Sequence, residues 1–173
     1  MVTRAAHTFA VLMIVAASTI LVAGCGDDGK SSDEDYFVEL EDLMQEADER
    51  SRALQDALNQ DFESGSAEIE ATRGFYAATA ENMSRFVADI NAMSPTNAVR
   101  TDHDQFVLAG EELAEALSQI NGGVAGVESL TEMNSLADSL ISESSTRFVD
   151  ACRDLQLLAN TNGIDVDLNC ADA

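Results

Sequence analysis

The sequence predicts an all-α protein, an up-down-up-down bundle of four long amphipathic helices. From Tyr36 onward, apolar residues recur at alternating spacings of three and four, the period of one helical face, in four successive stretches. Short breaks separate them, at Ser64-Gly65-Ser66, Ser94-Pro95 and Asn121-Gly122-Gly123. Strand-like alternation is confined to Ile164-Asp165-Val166-Asp167-Leu168. Each helix is expected to run roughly 27–33 residues, or roughly 40–50 Å. The same periodicity also fits two long hairpins paired across a dimer.

The first helix carries Phe37, Leu40, Met44, Ala47, Ser51, Leu54 and Leu58 on one face, with Glu41, Asp42, Glu46, Asp48, Glu49 and Asp56 opposite. Ser32, followed by Asp33 to Asp35, supplies a cap and charges that suit the positive end of the helix dipole. The second helix reads Ile69, Thr72, Tyr76, Thr79, Met83, Phe86, Ile90 and Met93, with Gly74 lowering its propensity. Ser94-Pro95 ends it and is expected to open the third, serine as cap and proline as first helical residue.

The third helix presents Val99, His103, Phe106, Gly110, Leu113, Leu117 and Ile120 before Asn121-Gly122-Gly123 stops it. The fourth, from about Val127 to Ala159, presents Leu130, Met133, Ala137, Leu140, Ser144, Phe148, Ala151, Leu155 and Leu158. Two successive steps of four at Leu140–Ser144–Phe148 break the seven-residue phase. Asn162-Gly163 closes the helix, leaving an extended tail from Ile164. Four helices in this order return the tail to the end that holds Tyr36.

The formal charge is −23, from nine basic and 32 acidic residues, with Lys30 the only lysine. Such a surface repels phosphates and anionic headgroups, which disfavours nucleic acid and direct adsorption to a membrane surface. It also suits a protein that stays soluble in salt, although a GC-rich genome depletes lysine as well.

Residues 1–24 have the three parts of an export signal: Arg4 in a short basic region, an uncharged apolar run from Thr8 to Ala23, and a small residue at Gly24. The run is shorter than the roughly 20 residues that span a bilayer. An uncleaved anchor helix counted from Ala5 is the other reading. Leu21-Val22-Ala23-Gly24-Cys25 resembles the lipobox of bacterial lipoproteins. The resemblance implies diacylglyceryl transfer to Cys25, cleavage between Gly24 and Cys25, and lipid anchoring to a cell membrane or outer membrane on the extracytoplasmic side. Residues 25–35, polar, acidic and containing glycine and serine, would then be a flexible tether, and residues 36–173 the bundle domain. The acidic part loosely resembles helical lipoproteins of unknown function with a C-terminal cysteine pair.

If Cys25 carries lipid, the odd cysteine count resolves into one pair, Cys152 and Cys170. Export makes a disulfide their default state, tying the tail back to the last turns of the fourth helix. A loop of this size stabilises by about 3 kcal/mol in the chain-entropy view. A redox-active pair would need the close Cys-x-x-Cys spacing that lowers a thiol pKa, which these two lack.

His103, between Asp102 and Asp104, is the single histidine beyond the leader. Its spacing puts it on the inner face near the bundle's end, as a partly buried, hydrogen-bonded residue. The sharper reading is a metal or haem ligand opposite Met44, Met83 or Met93. Neither the Glu-x-x-His pairing of di-iron bundles nor a Cys-x-x-Cys-His haem motif accompanies it, so no metal or cofactor is assigned. Met44, Met83, Met93 and Met133 fall on core faces as gap fillers. Asp165-x-Asp167-x-Asn169 begins like a calcium loop but meets Cys170 where glycine is needed.

No nucleophile elbow, phosphate-binding loop, zinc-protease motif or dinucleotide turn occurs. The expectation is a lipid-anchored, non-enzymatic envelope protein with a binding or scaffolding role, its partners the bilayer through Cys25 and an envelope protein. A small-molecule, metal or haem carrier built around His103 and an extracytoplasmic sensory module are the alternatives.

Overall fold

The computed structural model describes residues 32–64 and 68–170. The export-signal and lipobox expectations for residues 1–24 and Cys25 lie outside them, as does most of the tether. The described chain is all-helical: α1 (Asp33–Ser64), α2 (Glu68–Asn91), α3 (Arg100–Gly123) and α4 (Leu130–Thr161), with a 3-10 turn at Val124–Gly126. Each helix packs along its neighbour in sequence, which gives the up-down-up-down order. α1 and α4 have the expected length at 32 residues each, whereas α2 and α3 are shorter at 24 residues each.

Local chemistry explains where the helix ends depart from expectation. Ser32 Oγ accepts the Asp35 N–H at 3.0 Å and the Asp35 carboxylate accepts the Ser32 N–H at 3.1 Å. This reciprocal capping pair starts α1 at Asp33, so Asp33, Glu34 and Asp35 belong to the helix rather than to the tether. Ser94-Pro95 does not cap α3. A turn at 97–99 intervenes, its neighbour Thr96 hydrogen-bonds through its hydroxyl to the Asp33 carboxylate, and Arg100 donates to the Pro95 carbonyl at 2.9 Å. The longer connection buries Met93, Pro95 and Val99 as a plug across the end of the bundle. α3 runs through Asn121 to Gly123, and α4 begins at Leu130 rather than Val127 because Ser129 is the residue whose side chain accepts the Glu132 N–H. At the far end of α4, Gly163 has a φ of 72°. The Ile164 N–H reaches the Ala159 carbonyl at 3.0 Å and the Gly163 N–H the Asn160 carbonyl at 3.1 Å, the paired bonds of a Schellman stop.

The core has two parts. At the end where α1 begins, Tyr36, Phe37, Leu40, Ile90, Met93, Val99, Phe106, Cys152, Leu155 and Ala159 pack together with the tail residues Val166 and Leu168. At the opposite end, Leu117, Ile120, Val124, Val127, Met133 and Ala137 pack with Ala80, and no α1 residue takes part. The Arg73 guanidinium of α2 holds the α3–α4 connection there, donating to the carbonyls of Val124 at 2.9 Å and Val127 at 2.6 Å. Between the two parts, Phe106 and Phe148 stack with ring centres 4.9 Å apart, and Phe86 meets both edge-on.

One face therefore behaves differently from the periodicity. The apolar stripe of α1 runs from Phe37 to Leu58, but its buried residues are Phe37 and Leu40, with Tyr36 beside them, all in the first turns of the helix. Beyond Leu40 it rests on α2 with polar ties. Arg50 Nε donates to Asn82 Oδ1 at 2.6 Å, and Asn82 Nδ2 donates to Ser51 Oγ at 3.0 Å.

Candidate functional site

α1 and α4, the first and last helices, meet at the end where α1 begins but do not pack along each other beyond it, so the bundle is open on that side. The gap is a cleft of about 610 Å³ with walls from α1 and α4 and a floor from α2 and α3. Met83 and Phe86 of α2, Leu113 and Leu117 of α3, and Ile141 and Phe148 of α4 make the floor and far wall apolar. The α1 wall contributes Met44 and Ala47 from its apolar face and Asp48, Glu49 and Arg52 from the edge of that face. Arg52 is paired with Asp48 within α1, so the carboxylates of Glu41, Glu49 and Asp167 set the sign of the rim.

The methionines divide along this line. Met93 and Met133 are buried fillers as expected, whereas Met44 and Met83 are only partly buried and stand at the cleft. Unbranched and polarisable, methionine adapts its shape to whatever occupies a gap. Of the two serines within the apolar stripes, Ser51 of α1 lines the cleft, whereas Ser144 of α4 is buried and its neighbour Ser145 lines it.

The C-terminal tail closes one end of the cleft. Cys152 and Cys170 are bonded, with Cα atoms 5.6 Å apart, as the cysteine count led us to expect. Val166, Leu168 and Cys170 face inward and Asp165, Asp167 and Asn169 outward, so the strand-like alternation is real. The segment nevertheless pairs with no strand, because a side chain takes the place of one. Gln156 of α4 donates from Nε2 to the Val166 carbonyl at 2.9 Å and accepts the Leu168 N–H on Oε1 at 2.7 Å. On the other side, Glu41 of α1 accepts the Asp167 N–H at 2.7 Å. The tail thus bridges α1 and α4 at this end of the cleft. Asp167 Oδ1 is turned back onto the Asn169 N–H at 3.0 Å, a local turn rather than a calcium loop. The sequence places Glu41 on the face of α1 opposite the apolar stripe, whereas it stands at the cleft and holds the tail; Gln156, one glutamine without a periodic signal, was not singled out.

His103 sits in the first turn of α3, 4% exposed, at the end where α1 begins. Its Nδ1 lies 3.0 Å from Tyr36 Oη, and the two rings meet edge-on. Burial lowers the His103 pKa, with Asp104 opposing and Arg100 assisting. Burial raises the Tyr36 pKa strongly, and Asp102, Asp104 and Glu39 add to it. Both shifts favour a neutral pair in which the tyrosine hydroxyl donates to Nδ1. Among the described residues, no group of three or more His, Cys, Asp or Glu side chains is placed to hold a metal ion. Met44 and Met83 face the cleft rather than a site shared with His103.

No helix among the described residues is long and apolar enough to cross a membrane. No protein-family model, curated protein or solved structure matches the chain.

Proposed function

We propose that this is a lipid-anchored, non-enzymatic binding protein of the bacterial cell envelope, tethered through Cys25 on the extracytoplasmic side of a membrane. What carries the binding role is the unsealed side of the bundle: an apolar cleft of about 610 Å³, within the roughly 300–1,000 Å³ usual for ligand pockets. The bundle is stapled at one end by a disulfide, a bond that persists in oxidising compartments. The anchor reading rests on the lipobox-like Leu21–Cys25 and the apolar run before it.

In this reading, the residues between Cys25 and Ser32 span at most about 25 Å when fully extended. The disulfide end of the bundle, where α1 begins, then lies close to the headgroups, and the cleft opens sideways above it. The strong negative charge keeps the domain off an anionic bilayer, leaving the lipid as the attachment. Mass spectrometry of the protein extracted from membranes tests this. A diacylglyceryl group on an N-terminal Cys25, together with recovery in the membrane fraction, is the expected result. An unmodified Cys25 in a soluble cytoplasmic protein would overturn it.

A further inference from the structure

We infer that the α1–α4 cleft takes a small organic cation with an apolar body, an amine or quaternary ammonium compound. This deepens the binding reading above and rests on it. The cleft joins two chemistries within reach of one compact ligand. Its floor, built from Met83, Phe86, Leu117 and Phe148, offers apolar contact and no charge. Its rim carries the carboxylates of Glu41, Asp48, Glu49 and Asp167 against the single cation Arg52, which Asp48 already engages.

Charge complementarity selects among the occupants an apolar cleft would otherwise admit. A fatty acid or other apolar anion would bring its carboxylate to this rim, where like charges repel. A second copy of so acidic a chain meets the same repulsion over a whole surface. An amphipathic helix of another protein meets a wall at one end of the groove, where the tail is bonded to Gln156 and Glu41. A compact cation buries its body on the floor and leaves its head at the rim, in partial contact with water. The two methionines at the cleft, Met44 and Met83, allow the walls to conform to such a body.

Calorimetric titration of the full chain in lipid nanodiscs, blanked against empty nanodiscs, tests this with three probes of one shape: 1-adamantylammonium, 1-adamantanol and 1-adamantanecarboxylate. The ammonium is expected to bind about tenfold more tightly than the alcohol and the carboxylate most weakly, with the preference shrinking as salt is raised. In the Asp48→Asn/Glu49→Gln protein, altered on an exposed helix edge, the preference for ammonium over alcohol should disappear. Ser145→Trp, which fills the cleft, should abolish binding of all three. Equal binding of ammonium and alcohol by the unaltered protein overturns the cation class and leaves the binding reading standing. Binding of none of the three overturns both. Ammonium binding that survives Ser145→Trp in a folded protein places it elsewhere and overturns the assignment.

Discussion

The Glu41 carboxylate accepts the backbone N–H of Asp167 at 2.7 Å, across 126 residues of chain. It connects α1 to the tail, and the tail is bonded through Cys170 to α4. Beyond the end where Phe37 and Leu40 share a core cluster with Leu155 and Ala159, the two helices stand apart with a cleft rather than a core between them. The tail is both a staple and the end wall of the site.

Removing the staple should therefore loosen the tail and the cleft together. Cys170→Ser is expected to destabilise the protein by about 2–4 kcal/mol in urea unfolding, the range for a native disulfide closing a loop of this length. Hydrogen exchange at Asp167 and Leu168, whose N–H groups are held by Glu41 and Gln156, should accelerate well beyond the change seen in α3. A loss below about 1 kcal/mol with unchanged exchange in the tail would show that side-chain packing alone holds it.

Gln156 stands in for a strand partner, so its amide is expected to matter more than its exposure suggests. Gln156→Ala removes a donor to Val166 and an acceptor from Leu168, and should cost about 1–2 kcal/mol. Gln156→Glu keeps the acceptor for Leu168 but sets a carboxylate oxygen against the Val166 carbonyl, and should cost at least as much. Thermal melts of the three proteins measure this order.

The Tyr36–His103 contact predicts a pH dependence of one sign. The folded-state pKa of His103 lies below the ordinary value of 6.5, so the unfolded chain binds the proton more readily. Its contribution is complete above about pH 6.5 and is lost as pH falls from there through the lowered folded-state value. Urea unfolding of the natural protein and of His103→Gln at a series of pH values isolates this contribution from those of Asp102, Asp104, Glu39 and Arg100. The stability gap between the two should narrow on acidification; a gap that widens would mean a charged histidine in the fold. Tyr36→Phe should remove about 1 kcal/mol at pH 7.

Two glycines inside helices should respond to alanine with opposite signs. At Gly74 of α2 an added Cβ meets nothing within 4 Å, so Gly74→Ala is expected to stabilise by about 1 kcal/mol through helix propensity. At Gly110 of α3 the same atom would lie 3.0 Å from Val87 Cγ2 and 3.6 Å from Phe148 Cε2. Val87 is β-branched and fixed in its rotamer within a helix, so it yields only by moving its backbone. Gly110→Ala should lower the melting temperature despite the gain in propensity.

These pairs show what the sequence could and could not reveal. The spacing of His103, Phe106, Gly110, Leu117 and Ile120 marks the inner face of α3, and each of those positions is buried. In α1 the same spacing continues through Leu54 and Leu58, yet neither is buried. Periodicity reports which face is apolar; whether a partner covers it depends on where α4 stands, and α4 does not pack along α1. The disulfide was legible from counting cysteines, and the inward-facing set Val166, Leu168 and Cys170 from alternation. Pro95 misled because its fixed φ suits a first helical turn in general, while here Thr96, bonded to Asp33, directs the chain across the bundle's end.

The four methionines of the bundle allow the cleft to be tested without any substitution. Met44 and Met83 line it, whereas Met93 and Met133 are buried in the two separate ends of the core. Titrating methyl-labelled protein with 1-adamantylammonium and following the methionine methyl signals by NMR is the most direct measurement. The Met44 and Met83 methyls should shift together with a single saturable dependence while Met93 and Met133 stay in place. Shifts at Met93 or Met133 in place of that pair, or no shift at any of the four, would contradict a binding site between α1 and α4.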